Sequence, residues 1–300
     1  MKILITGATG LVGTELTTLL LQKGIHVHYL TTSTKKIVSE SNFTGFLWNP
    51  DHGTIDENAL IGVDAIIHLA GANIANRWTE HYKEEIVESR TFSANMLFKV
   101  LKNNPHQVKQ IVSASGIAIY PSSLTENYTE ENTKIEDGFL SNVVVKWEES
   151  ADKFQQLGIS VCKLRTGIVL SSKGGALVEM AKPIRLGVGS PLGSGNQIQS
   201  WIHLHDLANL YFYAVENNLN GVYNAVAPNP VSNKTLTVAI AKQLHKPLFM
   251  PNIPQFALKL ALGEMHEILF SSQSVSNKKI TDQGFSFQFK TIEKALADLL

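Results

Sequence analysis

The first thirteen residues constrain the chain more than any other stretch. Lys2-Ile3-Leu4-Ile5 is rich in β-branched and aliphatic side chains and reads as a buried strand, and Thr6-Gly7-Ala8-Thr9-Gly10-Leu11-Val12-Gly13 then turns that strand into a helix. Each glycine has its own reason. Gly7 permits the tight turn, Gly10 removes the side chain that would keep a pyrophosphate from the backbone, and Gly13 lets the first helical turn pack close to the strand. The helix N-terminus then faces the anion. Leu16, Leu19 and Leu20 follow at helical spacing, and Gly24 supplies a left-handed stop. The pattern predicts a dinucleotide site made by Gly7, Thr9, Gly10, Leu11, Val12 and Gly13.

A chain of 300 residues, 44% hydrophobic, has room for one large α/β domain or a nucleotide-binding core with a smaller cap. Its 26 basic and 26 acidic residues cancel, so no basic footprint for nucleic acid is expected. No apolar run approaches the ~20 residues that span a bilayer, and no membrane partner is expected. The chain enters a strand at once, leaving no room for a signal peptide. Cys162 is the one cysteine, which excludes an internal disulfide and favours a reducing, cytoplasmic setting with Cys162 as a small buried hydrophobe.

Ile25 to Leu30 reads as the second strand. In this type of fold the residue that ends it selects the nicotinamide cofactor, because a carboxylate there accepts from the ribose 2′-hydroxyl and repels a 2′-phosphate. Here the strand ends in Thr31-Thr32-Ser33, with Lys35 and Lys36 beyond, so NADP(H) is favoured over NAD(H). Phe43 to Trp48 is a short strand before a polar turn at Asn49-Pro50-Asp51. Asp64 to Gly71 contains a continuous apolar run suited to a central parallel strand. Thr79 to Asn103 is a long helix whose inward stripe of Ile86, Ala94, Leu97 and Leu101 contains Arg90; a guanidinium there must find partners, in an ion pair or carbonyl clamp or, as the alternative, in a ligand or cofactor phosphate. Gln110 to Gly116 and Ser160 to Leu170 are further core strands. His203-Leu204-His205-Asp206 lacks a third spaced ligand, so no metal is assigned, and Asp206 reads as a helix N-cap.

The spacing Gly7-x-x-Gly10-x-x-Gly13 resembles the extended short-chain dehydrogenase/reductase superfamily, which includes the nucleotide-sugar epimerases. The resemblance implies a Rossmann-type, doubly wound parallel sheet. It also implies that Leu69-Ala70-Gly71 is the small-residue corner beside the cofactor and that Thr166 lies at the nicotinamide. Ser115, with Ser113 as the next match, corresponds to the residue bonded to the reacting oxygen, and Tyr120 to the tyrosine that follows it, at a spacing one residue longer than usual. The superfamily's Tyr-x-x-x-Lys is missing: Asn142 stands four residues before Lys146, and the other alignment gives Leu140 and Val144.

That departure, with Arg77-Trp78, Ser89-Arg90, Trp147-Glu148, Leu164-Arg165-Thr166-Gly167, Trp201-Ile202-His203, Leu262-Gly263-Glu264-Met265 and Gly284-Phe285-Ser286-Phe287, resembles the atypical 39U-like "epimerase family protein" branch along the whole chain. The domains expected are an NADP-binding core over 1–170, to which 196–226 return, and a mainly helical substrate or cap region over 171–300 with a C-terminal module at about 249–298. The function implied is an NADP(H)-binding oxidoreductase or nucleotide-sugar-epimerase-like protein acting on a small polar carbonyl or alcohol. Tyr120 is then the remaining proton donor. A catalytically silent dinucleotide sensor is the alternative, and a homodimer is compatible with either.

Overall fold

The computed structural model describes residues 1–300. Seven strands form the core: β1 (Lys2–Thr6), β2 (His26–Thr31), β3 (Phe43–Asn49), β4 (Ala65–His68), β5 (Gln110–Gly116), β6 (Ser160–Thr166) and β7 (Gly221–Ala225). Their spatial order is β3-β2-β1-β4-β5-β6-β7, and every neighbouring pair is parallel. The direction of winding reverses between β1 and β4, which opens a crevice at their C-terminal ends.

Eight helices of eight residues or more follow: α1 (Leu11–Gln22), α2 (Glu80–Asn103), α3 (Phe139–Asp152), α4 (Ala176–Arg185), α5 (Leu204–Glu216), α6 (Asn233–Gln243), α7 (Gln255–Leu262) and one at the C-terminal end, Ile292–Leu299. Because strand side chains alternate, Ile3 and Ile5 join one core with Leu16 and Leu20 of α1 and Leu207 and Tyr211 of α5. Leu4 and Ile66 join the opposite core with Leu97 and Leu101 of α2. A third core, around Leu177, Ile184, Trp201, Leu236 and Ile240, is closed by Ile292 and Leu296 of a C-terminal helix, Ile292–Leu299.

Local chemistry sets the ends. Gly24 has φ +71° and sits past α1, where its N–H reaches the Leu21 carbonyl and that of Ile25 reaches Leu20. Thr79 caps α2 by accepting from the Tyr82 N–H at 3.1 Å. The strand expected to run to Leu170 ends at Thr166: a Cβ on Gly167 would lie 2.4 Å from the Ser200 carbonyl oxygen, and the chain turns there so that Ile168–Leu170 pairs with Trp201–His203.

Asp206 is not the N-cap. His203 takes that place and accepts from the His205 N–H, while Asp206, buried in the first turn of α5, receives the Gln288 and Phe289 N–H groups at 2.9 Å each. Those amides have no strand partner, and the carboxylate that satisfies them fixes the C-terminal segment to the core. Phe289 also stacks on His203, with ring centroids 3.8 Å apart.

The ends of β1 and β4 are joined by one hydrogen-bond chain. The Thr6 hydroxyl oxygen accepts from the Leu69 and Ala70 N–H groups, both at 3.1 Å, and lies 2.8 Å from His68 Nδ1. Since it receives two donors, its own proton goes to Nδ1, leaving Nε2–H to face the Ser93 hydroxyl at 3.3 Å, which itself donates to the Ser89 carbonyl at 2.6 Å. His68 is therefore neutral, and burial pulls its pKa down to about 4. In the unfolded chain the same imidazole takes a proton near its ordinary 6.5. Between those two values the unfolded state binds more protons, so stability falls as pH falls through the window and levels off below about 4. The total is up to about 3 kcal/mol. Urea midpoints across this range should show the loss in the parent protein, and a His68→Asn variant, weaker at pH 7, should show a flatter profile.

Candidate dinucleotide and reaction site

Between Gly7 and Gly13 the backbone forms an open cradle. Gly7 has φ +72°, and a Cβ there would lie 3.0 Å from the backbone carbonyl of Leu69. On Gly13 a Cβ would lie 2.2 Å from the Gly7 carbonyl oxygen, so α1 comes this close only because that side chain is missing. Gly10 differs. Its φ of −82° and ψ of 177° suit any residue, and a Cβ there would meet only the Gly7 oxygen, at 3.3 Å, before open space. The first helical bond runs from the Thr14 N–H to the Gly10 carbonyl at 2.9 Å, so the Leu11, Val12 and Gly13 amides have no acceptor in the protein. Three free amides, no side-chain cap and no acidic residue in the first turn fit a phosphate group. The residues present therefore suit the dinucleotide that the motif implies.

At the end of β2, Thr31 is buried and its hydroxyl accepts from the Ser33 N–H at 3.2 Å, whereas Thr32, Lys35 and Lys36 are exposed. The loop is fixed from below. The Tyr29 hydroxyl donates to the Lys36 carbonyl at 2.6 Å and accepts from the Val38 N–H at 2.9 Å. No carboxylate stands between Thr31 and Val38.

The Leu69-Ala70-Gly71 corner is mounted on α2. Ser89 accepts the Ala72 N–H at 2.9 Å, and Arg90 donates to the Ala72 carbonyl at 3.1 Å and to that of Ile86 at 2.8 Å. Arg90 is thus clamped by carbonyls, with no carboxylate partner, and its guanidinium carbon lies 4.9 Å from the Trp147 ring centroid. Burial lowers its pKa to about 10, which leaves it charged at neutral pH. A Cβ on Gly71 would lie 2.9 Å from that guanidinium carbon, so the corner's small residue makes way for the arginine.

Ser115 and Tyr120 meet in a buried network that the sequence did not reveal. Ser115, Arg165 and Asn224 stand in register across β5, β6 and β7. Ser115 donates to Glu148 on α3 at 2.6 Å, and Arg165 grips the same carboxylate through Nε at 2.8 Å and Nη2 at 2.9 Å. The Tyr120 hydroxyl accepts from Arg165 at 3.0 Å and donates to Asn224 at 2.8 Å. Burial raises the Glu148 pKa, but Arg165, Ser115 and Lys163 outweigh it and hold the carboxyl below its usual range. Burial likewise lifts the Tyr120 phenol above its ordinary value, against the pull of Arg165. Both hydroxyl protons are committed inside the protein, and Tyr120 is 1% exposed. The available signal was Lys163 and Arg165, two cations at alternate positions among the apolar residues of β6. Thr166 ends that strand, its hydroxyl donating to the Leu164 carbonyl at 3.1 Å.

Residues 3–225 match the NAD dependent epimerase/dehydratase family, and residues 253–299 match a domain of unknown function, DUF1731. The chain is 35% identical to Epimerase family protein YfhF of Bacillus subtilis, covering all of this chain and 98% of that protein. The crystal structure of human epimerase family protein SDR39U1 with NADPH aligns at 31% identity with a TM-score of 0.86, covering 100% of this chain and 99% of the human one. UDP-glucuronic acid 4-epimerase from Bacillus cereus, in complex with UDP-glucuronic acid and NAD, shares the fold at 16% identity and a TM-score of 0.79, covering 99% and 96% of the two chains. With the open glycine cradle, the crevice at the winding reversal and whole-length similarity together, the chain belongs to the NAD-dependent epimerase/dehydratase family, in a form that carries a C-terminal DUF1731 domain.

Proposed function

We propose that the protein is an NADP(H)-binding oxidoreductase acting on a small polar carbonyl. The observation that carries this is the cradle at Gly10, open in front of the unpartnered Leu11, Val12 and Gly13 amides. Those amides would hold the pyrophosphate, with Thr9 at the turn. Thr31, Thr32, Lys35 and Lys36 would receive the 2′-phosphate, a preference supported by the missing carboxylate and by a 31% identical relative whose structure holds NADPH. Leu69, Ala70 and Gly71 would line the cofactor's flank, with Thr166 at the nicotinamide end.

Bound NADPH supplies a hydride. In this reading Ser115 and Tyr120 act as positioning residues that keep β5, β6 and β7 in register, and the proton for the substrate oxygen comes from water in the crevice. Their committed hydroxyls also favour the second reading, a protein that binds the dinucleotide and responds to it without chemistry. A metabolite-wide search for NADPH oxidation, read by absorbance, separates the two: turnover supports the first, and tight binding with no turnover supports the second.

Gly10→Val should keep the fold, since the backbone angles suit valine, yet weaken NADPH about hundredfold in calorimetry by filling the pyrophosphate space. Undiminished affinity would remove the cradle from cofactor binding. Converting Lys35 and Lys36 to glutamine together should weaken NADPH about tenfold and leave NADH unchanged; equal losses for both would place the 2′-phosphate elsewhere. Tyr120→Phe should lower unfolding stability by about 1–3 kcal/mol, because Asn224 and Arg165 lose a buried partner. Its hydride-transfer rate per folded molecule should stay within about twofold of the parent; a collapse of that rate in fully folded variant would return the proton to Tyr120.

A further inference from the structure

The chain's balanced charge conceals a segregation. From Met180 to His205, and again from Asn217 to Gly263, there is no Asp or Glu, while Lys182, Arg185, Lys234, Lys242, Lys246 and Lys259 stand in those stretches. All six are exposed, and only Lys182 has an ionic partner, Glu179 at 2.5 Å. The same stretches carry the four most exposed large apolar side chains of the molecule: Leu260 at 82%, Leu186 at 79%, Phe249 at 70% and Phe256 at 68%. Val188 and Met250 beside them are about half exposed.

Backbone bonds stitch the two stretches together. The Gly193 N–H donates to the Ile253 carbonyl at 2.8 Å and the Ile253 N–H to that of Pro191 at 3.0 Å, while the Ser190 hydroxyl reaches the Pro251 carbonyl at 2.6 Å. The Lys234 N–H joins the same loop through the Gly195 carbonyl at 2.9 Å. Helix α7 contains no buried residue, and its Phe256 and Leu260 are one turn apart on one face. Each apolar side chain stands within a few residues of a cation: Leu186 follows Arg185, Phe249 follows Lys246, and Leu260 follows Lys259.

Two features choose the occupant. A second copy of the chain would set this surface against itself across a two-fold axis, bringing the cations of the two acid-free stretches close to those of its partner. Side chains that are 68–82% exposed stand out singly and do not line a groove, which suits a fluid surface better than a folded partner. We propose that this edge rests on an anionic phospholipid surface, with Phe249, Phe256 and Leu260 in the headgroup boundary and Arg185, Lys234, Lys242, Lys246 and Lys259 against the lipid phosphates. No helix is long and apolar enough to cross a membrane, so the attachment proposed is peripheral. The expectation of no membrane partner rested on the lack of a spanning apolar run, which does not address such a contact. This inference stands apart from the dinucleotide reading.

Sedimentation of the full-length protein with phosphatidylcholine vesicles, with and without phosphatidylglycerol, tests it. Binding should require phosphatidylglycerol and vanish in 1 M salt, where charges are screened beyond about 3 Å. Lys242→Gln and Lys246→Gln should each lower the partition coefficient about fivefold, and the double variant Phe256→Ser, Leu260→Ser should abolish it while leaving the thermal midpoint of the protein unchanged. No binding to phosphatidylglycerol vesicles would overturn the proposal. So would binding that ignores these substitutions, or a concentration-dependent dimer, seen by sedimentation equilibrium, that the Phe256→Ser, Leu260→Ser variant dissolves.

Discussion

The approach of α1 to the end of β1 is the constraint on which the C-terminal edge of the sheet depends. A single methyl group at position 13 would stand 2.2 Å from the Gly7 carbonyl oxygen and 2.6 Å from the Ala8 Cα, so the helix would have to move away. What presses it down is burial: Leu16 and Leu20 are fully enclosed against Ile3, Ile5 and Val27, each contributing about 1.5–3 kcal/mol. That packing leaves the helix free to do without an N-terminal cap, whose absence costs about 0.5–2 kcal/mol in an ordinary helix. An end held by its apolar face can offer its amides to a ligand.

A second constraint lies between the sheet and α3. Glu148 and Arg165 are each about nine-tenths buried, and their pairing is two-pronged, with Ser115 and Tyr120 taking up remaining capacity. Removing one member of such a pair strands the other charge and costs about 3–5 kcal/mol. The pairing selects a geometry more than it adds stability, since it is satisfied only when Ser115, Arg165 and Asn224 stand in one row across three strands. Lys163 repeats the device two residues earlier on β6, reaching Asp152 at 2.7 Å from the same side of the sheet.

These two constraints were unequally legible in the sequence. The glycine spacing, the leucine period and the stop at Gly24 are local signals, and α1 runs from Leu11 to Gln22 accordingly. The Thr79 start of α2 is equally local. Register is not. Nothing near Ser115 in the chain says that Arg165 and Asn224 will stand beside it, so Ser115 and Tyr120 look like free hydroxyls at a strand end until the strands are paired. Asp206 misleads for the same reason: its spacing suits a cap, but Gln288 and Phe289, 82 and 83 residues away, supply the amides it accepts. The apolar exposure of α7 also escapes a hydropathy reading, because Phe256 and Leu260 follow a helical period whether or not a partner covers them.

Trp147 and Glu148, adjacent on α3, connect the Leu69-Ala70-Gly71 corner to the sheet. Glu148 takes Arg165 from β6, and the Trp147 ring lies against the Arg90 guanidinium, which also donates to the Ala72 carbonyl. The helix is therefore wedged between two buried guanidinium groups, one neutralised by a carboxylate and one held by carbonyls alone. Sliding α3 by one residue would unpair Glu148 and uncover Arg90 together, two losses of several kcal/mol each in a protein interior. His68 and Ser93 fasten the same corner from β4 and α2. A corner fixed from three elements is preformed, with Gly71 kept small by the arginine behind it.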